Sequence, residues 1–151
     1  MAADVWRLMA EFTFGRFQRG EHITMLRELG LTPGHLKALS ILDPDEPRPM
    51  RHLADAMNCD ASMATWLVDR LEERELVERR SLDGDRRVKT VALTPEGIAL
   101  RARLTQALYQ PPPELLALDT ERLEALQAAL STLPGRAGGI MGAAEKPARS
   151  G

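Results

Sequence analysis

What this sequence lacks narrows its function before any motif is considered. It has a single cysteine, Cys59, so an internal disulfide framework is excluded and a reducing cytoplasm is the expected compartment. No run of about 18 apolar residues occurs, so no membrane span is expected. The opening segment MAADVWRLMAEF mixes acidic with apolar residues and does not read as a secretory signal. The histidines His22, His35 and His52 show no metal-ligand spacing, and there is no Cys/His cluster. No metal or cofactor is therefore expected. GxSxG, HExxH, CxxC and phosphate-loop motifs are all missing. The paired acidic residues Glu72-Glu73 and Asp83/Asp85 are accounted for by a helix surface and a turn, so an enzyme is not expected. Also missing is the overall basic balance usual in nucleic-acid binders: the net charge is -2.

What is present fits one globular domain. The chain has 151 residues, 44% hydrophobic and 28% charged, enough for one proper core and short for two. The charge is unevenly spread. Between Arg79 and Lys89 lie Arg79, Arg80, Arg86, Arg87 and Lys89 against Asp83 and Asp85 alone. This basic segment closes the stretch ASMATWLVDRLEERELVERRSLDGDRRVKTVAL, residues 61–93, which reads as a helix followed by a two-stranded hairpin. Such a pair suits duplex DNA, with the helix in the major groove and the hairpin tip in the neighbouring minor groove.

In chain order, Val5, Leu8, Met9, Phe12 and Phe17 form an apolar stripe predicting one helix over residues 4–27, with Gly15 and Gly20 as weak points. Thr32-Pro33 opens a helix carrying Leu36, Leu39, Ile41 and Leu42. The proline-rich residues 43–49 stop it. A short helix over 50–57, a turn at Asn58-Cys59-Asp60 and a helix over 61–74 capped by Asp60 make a helix-turn-helix. Ala64, Leu67, Val68 and Leu71 face its core. Strand one opens at Leu76-Val77, Gly84 serves the turn over 82–85, and strand two runs over 88–93. Thr94-Pro95 starts a helix reaching about residue 110, which Pro111-Pro112-Pro113 ends or kinks. A last helix, over 121–133, lines up Leu123, Leu126, Ala129, Leu130 and Leu133. From 134 onward little is available to bury, which predicts a disordered tail. The expected fold is mainly α with a small β-hairpin wing. A winged helix-turn-helix core (31–95) is flanked by N-terminal (1–30) and C-terminal (96–133) dimerisation helices, whose long apolar stripes need another chain.

The segments LTPGHLKALSIL, RHLADAMNCDASMATWLVDRLEERELVERR and DGDRRVKTVALTPEG resemble the MarR family of winged helix-turn-helix transcriptional regulators. The most specific piece is Asp85-x-Arg87 followed by Leu93-Thr94-Pro95-Glu96-Gly97. The resemblance implies a homodimer on palindromic double-stranded DNA. It also implies a repressor, released by a small aromatic or lipophilic effector or by cysteine oxidation. It assigns Arg87 to minor-groove insertion, and the family's usual residue at the Trp66 position is polar or basic. From the residues themselves, Ser62 and Thr65 can meet base edges or phosphates, and Trp66 can meet thymine methyls or sugar edges, or tuck against the wing. Arg51 with His52 opens a helix N-terminus suited to phosphate. Arg79, Arg86 and Lys89, with Arg80, are phosphate candidates, and Arg70 is a further one. Asp85 holds Arg87 or Arg70 in position, and Gly84 shapes the tip. For an effector pocket the candidates are Trp6, Phe12, Arg16 and His35, with Phe14, Phe17 and Met25, each also readable as core or dimer seam. Cys59 reads as a small buried hydrophobe, since the family's redox cysteine is expected in the N-terminal helix and this chain has none there. The alternatives are a winged-helix protein-interaction module and a DNA-binding activator without effector.

Overall fold

A computed structural model describes residues 1–82 and 85–134, with the side chains of 82 and 85–87 outside that description. Gly84 and the tail beyond 134 therefore lie outside the described residues, as do the side chains of Asp85, Arg86 and Arg87.

The chain begins with α1 (Ala2–Arg19) and α2 (Glu21–Glu28). The single helix expected over 4–27 is thus two, because Gly20 turns extended (φ -67, ψ 160) between them. The buried His22 ring packs close against Gly20 at that break. A Cβ on Gly20 would come within 2.5 Å of the His22 imidazole, and the centroid of the Phe17 ring lies 5.1 Å from that of His22.

Next come α3 (Pro33–Ile41), β1 (Arg48–Pro49), α4 (Met50–Met57) and α5 (Ala61–Glu73), then the wing strands β2 (Val77–Leu82) and β3 (Asp85–Leu93). The sheet is antiparallel in the order β1-β3-β2, with Arg48 opposite Val91 and Val77 opposite Leu93. β1 was not foreseen. Its two residues sit at the sheet edge, where a proline's missing N–H removes no ladder bond.

α6 (Pro95–Tyr109), a four-residue α7 (Pro113–Leu116) and α8 (Thr120–Ser131) complete the described chain. α7 begins inside the triple proline, where the sequence predicted only an end or a kink. No helix among the described residues is long and apolar enough to cross a membrane.

One core joins α2 through α6 and the sheet, centred on Leu39, Leu53, Val68, Leu71, Val91 and Leu104, each fully buried. The start of α6 is built into it. Thr94 Oγ1 accepts from the Gly97 N–H (3.0 Å) and donates to the Glu75 carbonyl (2.6 Å), while the Thr94 N–H donates to the Leu76 carbonyl (3.1 Å). Gly97 faces that same Leu76 carbonyl, and a Cβ there would lie 1.9 Å from its oxygen. Only glycine admits this approach. The wing-to-helix junction therefore dictates Thr94 and Gly97.

Arg101 follows Gly97 and Leu100 on the inward face of α6 and is buried. Its Nη2 donates to the Ser40 carbonyl at 3.5 Å, near the C-terminal end of α3. Burial pushes its guanidinium below the ordinary arginine pKa, and the charge of Asp43 opposes that shift. Asp43 in turn pairs with Arg48 at 3.1 Å.

Candidate nucleic-acid interface

The helix-turn-helix is set by its two caps. Asn58 ends α4 in the left-handed conformation (φ 53), which asparagine tolerates better than most residues. Asp60 then opens α5 by accepting from the Met63 N–H at 2.8 Å. Cys59, between them, is half-buried and packs on the core. Burial of Ala64, Leu67, Val68 and Leu71 rotates the other face outward, exposing Ser62, Thr65, Trp66 and Asp69.

The two flanks of that outward face differ. On one, Arg79 of β2 reaches across to α5. Its backbone N–H donates to Glu72 Oε1 (3.2 Å), Nη1 pairs with the Glu72 carboxylate, and Nη2 pairs with Asp69. Burial lowers the Arg79 pKa, but the two carboxylates outweigh it and hold the group above its ordinary value. Arg79 thus fastens the wing to the helix and offsets part of the negative charge of Asp69 and Glu72. Sequence alone gave it a phosphate role; the signal for a clamp is a pair of acids three residues apart, Asp69 and Glu72, on one side of the helix.

On the other flank, Arg70 Nη1 pairs with Glu73 at 2.8 Å and Nε lies 3.4 Å from the Gly30 carbonyl, in the α2–α3 turn. Trp66 also lies on this side. Its ring is 5.2 Å from the His35 imidazole at 51°, and 53% of the residue is exposed. Its ring neighbour is therefore on α3.

Around this centre, Arg51 and His52 are exposed in the first turn of α4. On the wing, Arg80 is paired with Glu78, and Lys89 Nζ donates to Ser81 Oγ at 3.2 Å. Arg51, Ser62, Thr65 and Trp66 thus share the helix-turn-helix with a wing bearing Lys89, whereas Arg70 and Arg79 are engaged in ion pairs at its margins.

The effector candidates do not converge. Trp6, Phe12, Phe14 and Arg16 are exposed on α1, and Phe17 lies against His22. His35 is buried, with Nδ1 accepting from the Thr32 N–H at 3.0 Å and lying 2.8 Å from Thr32 Oγ1. Met25 alone of the group lines an open cleft of about 680 Å³ between α2 and α6, together with Glu21, Arg103, Gln106 and Tyr109.

Residues 31–89 match the model of the MarR family. Over 71 residues the chain is 32% identical to the HTH-type transcriptional regulator MhqR of Bacillus subtilis (strain 168), covering 47% of this chain and 49% of that protein. Over 77 residues it is 32% identical to the HTH-type transcriptional repressor MdtR of the same organism, covering 51% and 50%. The chain thus spans about half the length of the curated relatives it matches. Among solved structures, the YusO protein of Bacillus subtilis is 28% identical with a TM-score of 0.69, covering 87% of this chain and 92% of that one. A MepR variant of S. aureus bound to an oligodeoxyribonucleotide is 21% identical with a TM-score of 0.68, covering 87% and 94%, and shows the same fold. The fold, the motif positions and these likenesses agree: residues 31–89 form a winged helix-turn-helix domain of the MarR family type.

Proposed function

We propose that the protein is a homodimeric, sequence-specific DNA-binding transcriptional regulator working in the cytoplasm. α5 enters the major groove of a palindromic duplex and the wing tip enters the adjacent minor groove. One observation carries this reading: α5 turns Ser62, Thr65 and Trp66 outward beside a basic wing that Arg79 fastens to it. Arg51 and Lys89 serve phosphates, and Arg86 and Arg87 serve the wing tip, the latter by the family resemblance. Arg79 and Arg70 hold the reading head together instead.

Dimerisation is supported by α1 and α8, in which no residue is buried although they carry Trp6, Phe12, Phe14, Leu126 and Leu130. On this reading residues 1–30 and 96–133 form the twofold seam around the winged unit of 31–95. Repression is supported by the name of the relative MdtR. Release by a small aromatic or lipophilic effector is supported by the cleft between α2 and α6.

The test is a duplex-binding titration over a range of salt. Binding through phosphates makes log affinity fall linearly with log salt, by about 0.9 for each phosphate neutralised. Arg87→Ala weakens binding by about 1–3 kcal/mol if it inserts into the groove. Salt-independent binding, or wild-type affinity in that variant, refutes the corresponding part.

A further inference from the structure

Trp66 puts an exposed aromatic ring on the reading face, which duplex binding in general does not require. Phosphates are met by charge, and base edges by donors and acceptors. An indole offers a single N–H and a broad apolar surface. Yet Trp66 is not a loose surface residue. The His35 ring against which it lies is 1% exposed and is fixed through Nδ1 by both the N–H and the hydroxyl of Thr32, at the start of α3. Among the described residues Nε2 of that buried ring has no partner, so no competing hydrogen bond there draws the imidazole away from the indole. One side of Trp66 is therefore occupied by His35. The remainder stands outward one turn from Ser62 and next to Thr65.

An apolar plane of fixed orientation among hydroxyls is a receptor for an apolar group on a base edge. In the major groove of B-DNA only thymine presents one, its C5-methyl. We propose that Trp66, braced by His35, is a specificity-determining residue that selects thymine through that methyl group. The proposal rests on α5 being the major-groove helix.

The experiment starts from duplexes enriched out of a random pool by the full chain. Each thymine of an enriched half-site is then replaced singly by deoxyuridine, which removes the methyl and leaves every hydrogen-bonding group. The wild-type protein should lose about fourfold in affinity at one thymine per half-site, the value of one buried methyl-sized group. Trp66→Ala should still bind but no longer distinguish the two duplexes. Because Trp66 is half-exposed, that variant keeps the core, which a thermal melt checks. In a Trp6→Phe background, Trp66 emission should respond more to the thymine duplex than to its deoxyuridine counterpart.

Equal wild-type affinity for every deoxyuridine duplex overturns the proposal, as does an undiminished penalty in Trp66→Ala. Failure to enrich any duplex overturns the DNA-binding reading, and this proposal falls with it. A loss that follows the methyl only when Trp66 is present supports both.

Discussion

The helices α5 and α8 carry apolar stripes of similar spacing and meet opposite fates. On α5, Ala64, Leu67, Val68 and Leu71 are 0–3% exposed, sealed by α3, α4 and the sheet. On α8, Leu123, Leu126 and Leu130 remain 38–42% exposed, and α1 likewise buries none of its residues. Periodicity reveals that a helix has a face to cover without revealing what covers it. The winged unit finds its cover within the chain. The terminal helices find none among the described residues, and the proposed homodimer follows from that difference.

The contrast breaks most plainly by substitution on each stripe. Leu71→Ala removes a fully buried side chain and should cost about 2–5 kcal/mol of stability at any protein concentration. Leu126→Glu should leave the fold of the winged unit intact and shift sedimentation from dimer to monomer. A Leu126→Glu protein that stays dimeric would put the seam elsewhere.

A smaller effect is expected at the border between the two regions. Gly97→Ala forces α6 away from the Leu76 carbonyl, and should cost about 1–3 kcal/mol, the range for overpacking. A melting temperature equal to wild type would show that the α6 junction yields freely.

The smallest effect concerns pH. Burial pushes His22 below its ordinary pKa, opposed by the Phe17 backbone, and pushes His35 down too, with the charge of Arg70 adding there. The unfolded chain therefore binds protons first as pH falls through the ordinary histidine range near about 6.5. Stability present above that range is lost progressively below it. The melting temperature should drop between about pH 7.5 and about pH 5.5, and His22→Phe and His35→Phe should each shrink the drop. An unchanged drop in His22→Phe would separate α2 from the packed region, sharpening where the two regions divide.

The winged fold was legible because its signals are local and redundant. Thr32-Pro33, Asp60 and Thr94-Pro95 announce helix starts, and the α5 stripe selects a single buried face. Four features were not legible. The α1–α2 break depends on how His22 packs against Gly20, a contact that spacing cannot reveal. The two-residue β1 exists only because β3 offers it an edge. Arg79 read as one more basic residue of the wing, since its destination on Asp69 and Glu72 is set by the docking of strand on helix. The pairing of His35 with Trp66 joins positions 31 residues apart and was equally hidden.

The central claim is that two such chains present two reading heads to one duplex. It is tested most directly by the sequence and stoichiometry of duplexes enriched by the full chain from a random pool. The account predicts inverted repeats whose half-site centres lie about 10 base pairs apart, or a multiple of that, with two chains bound per duplex. Enrichment of an unrepeated site holding a single chain would contradict it.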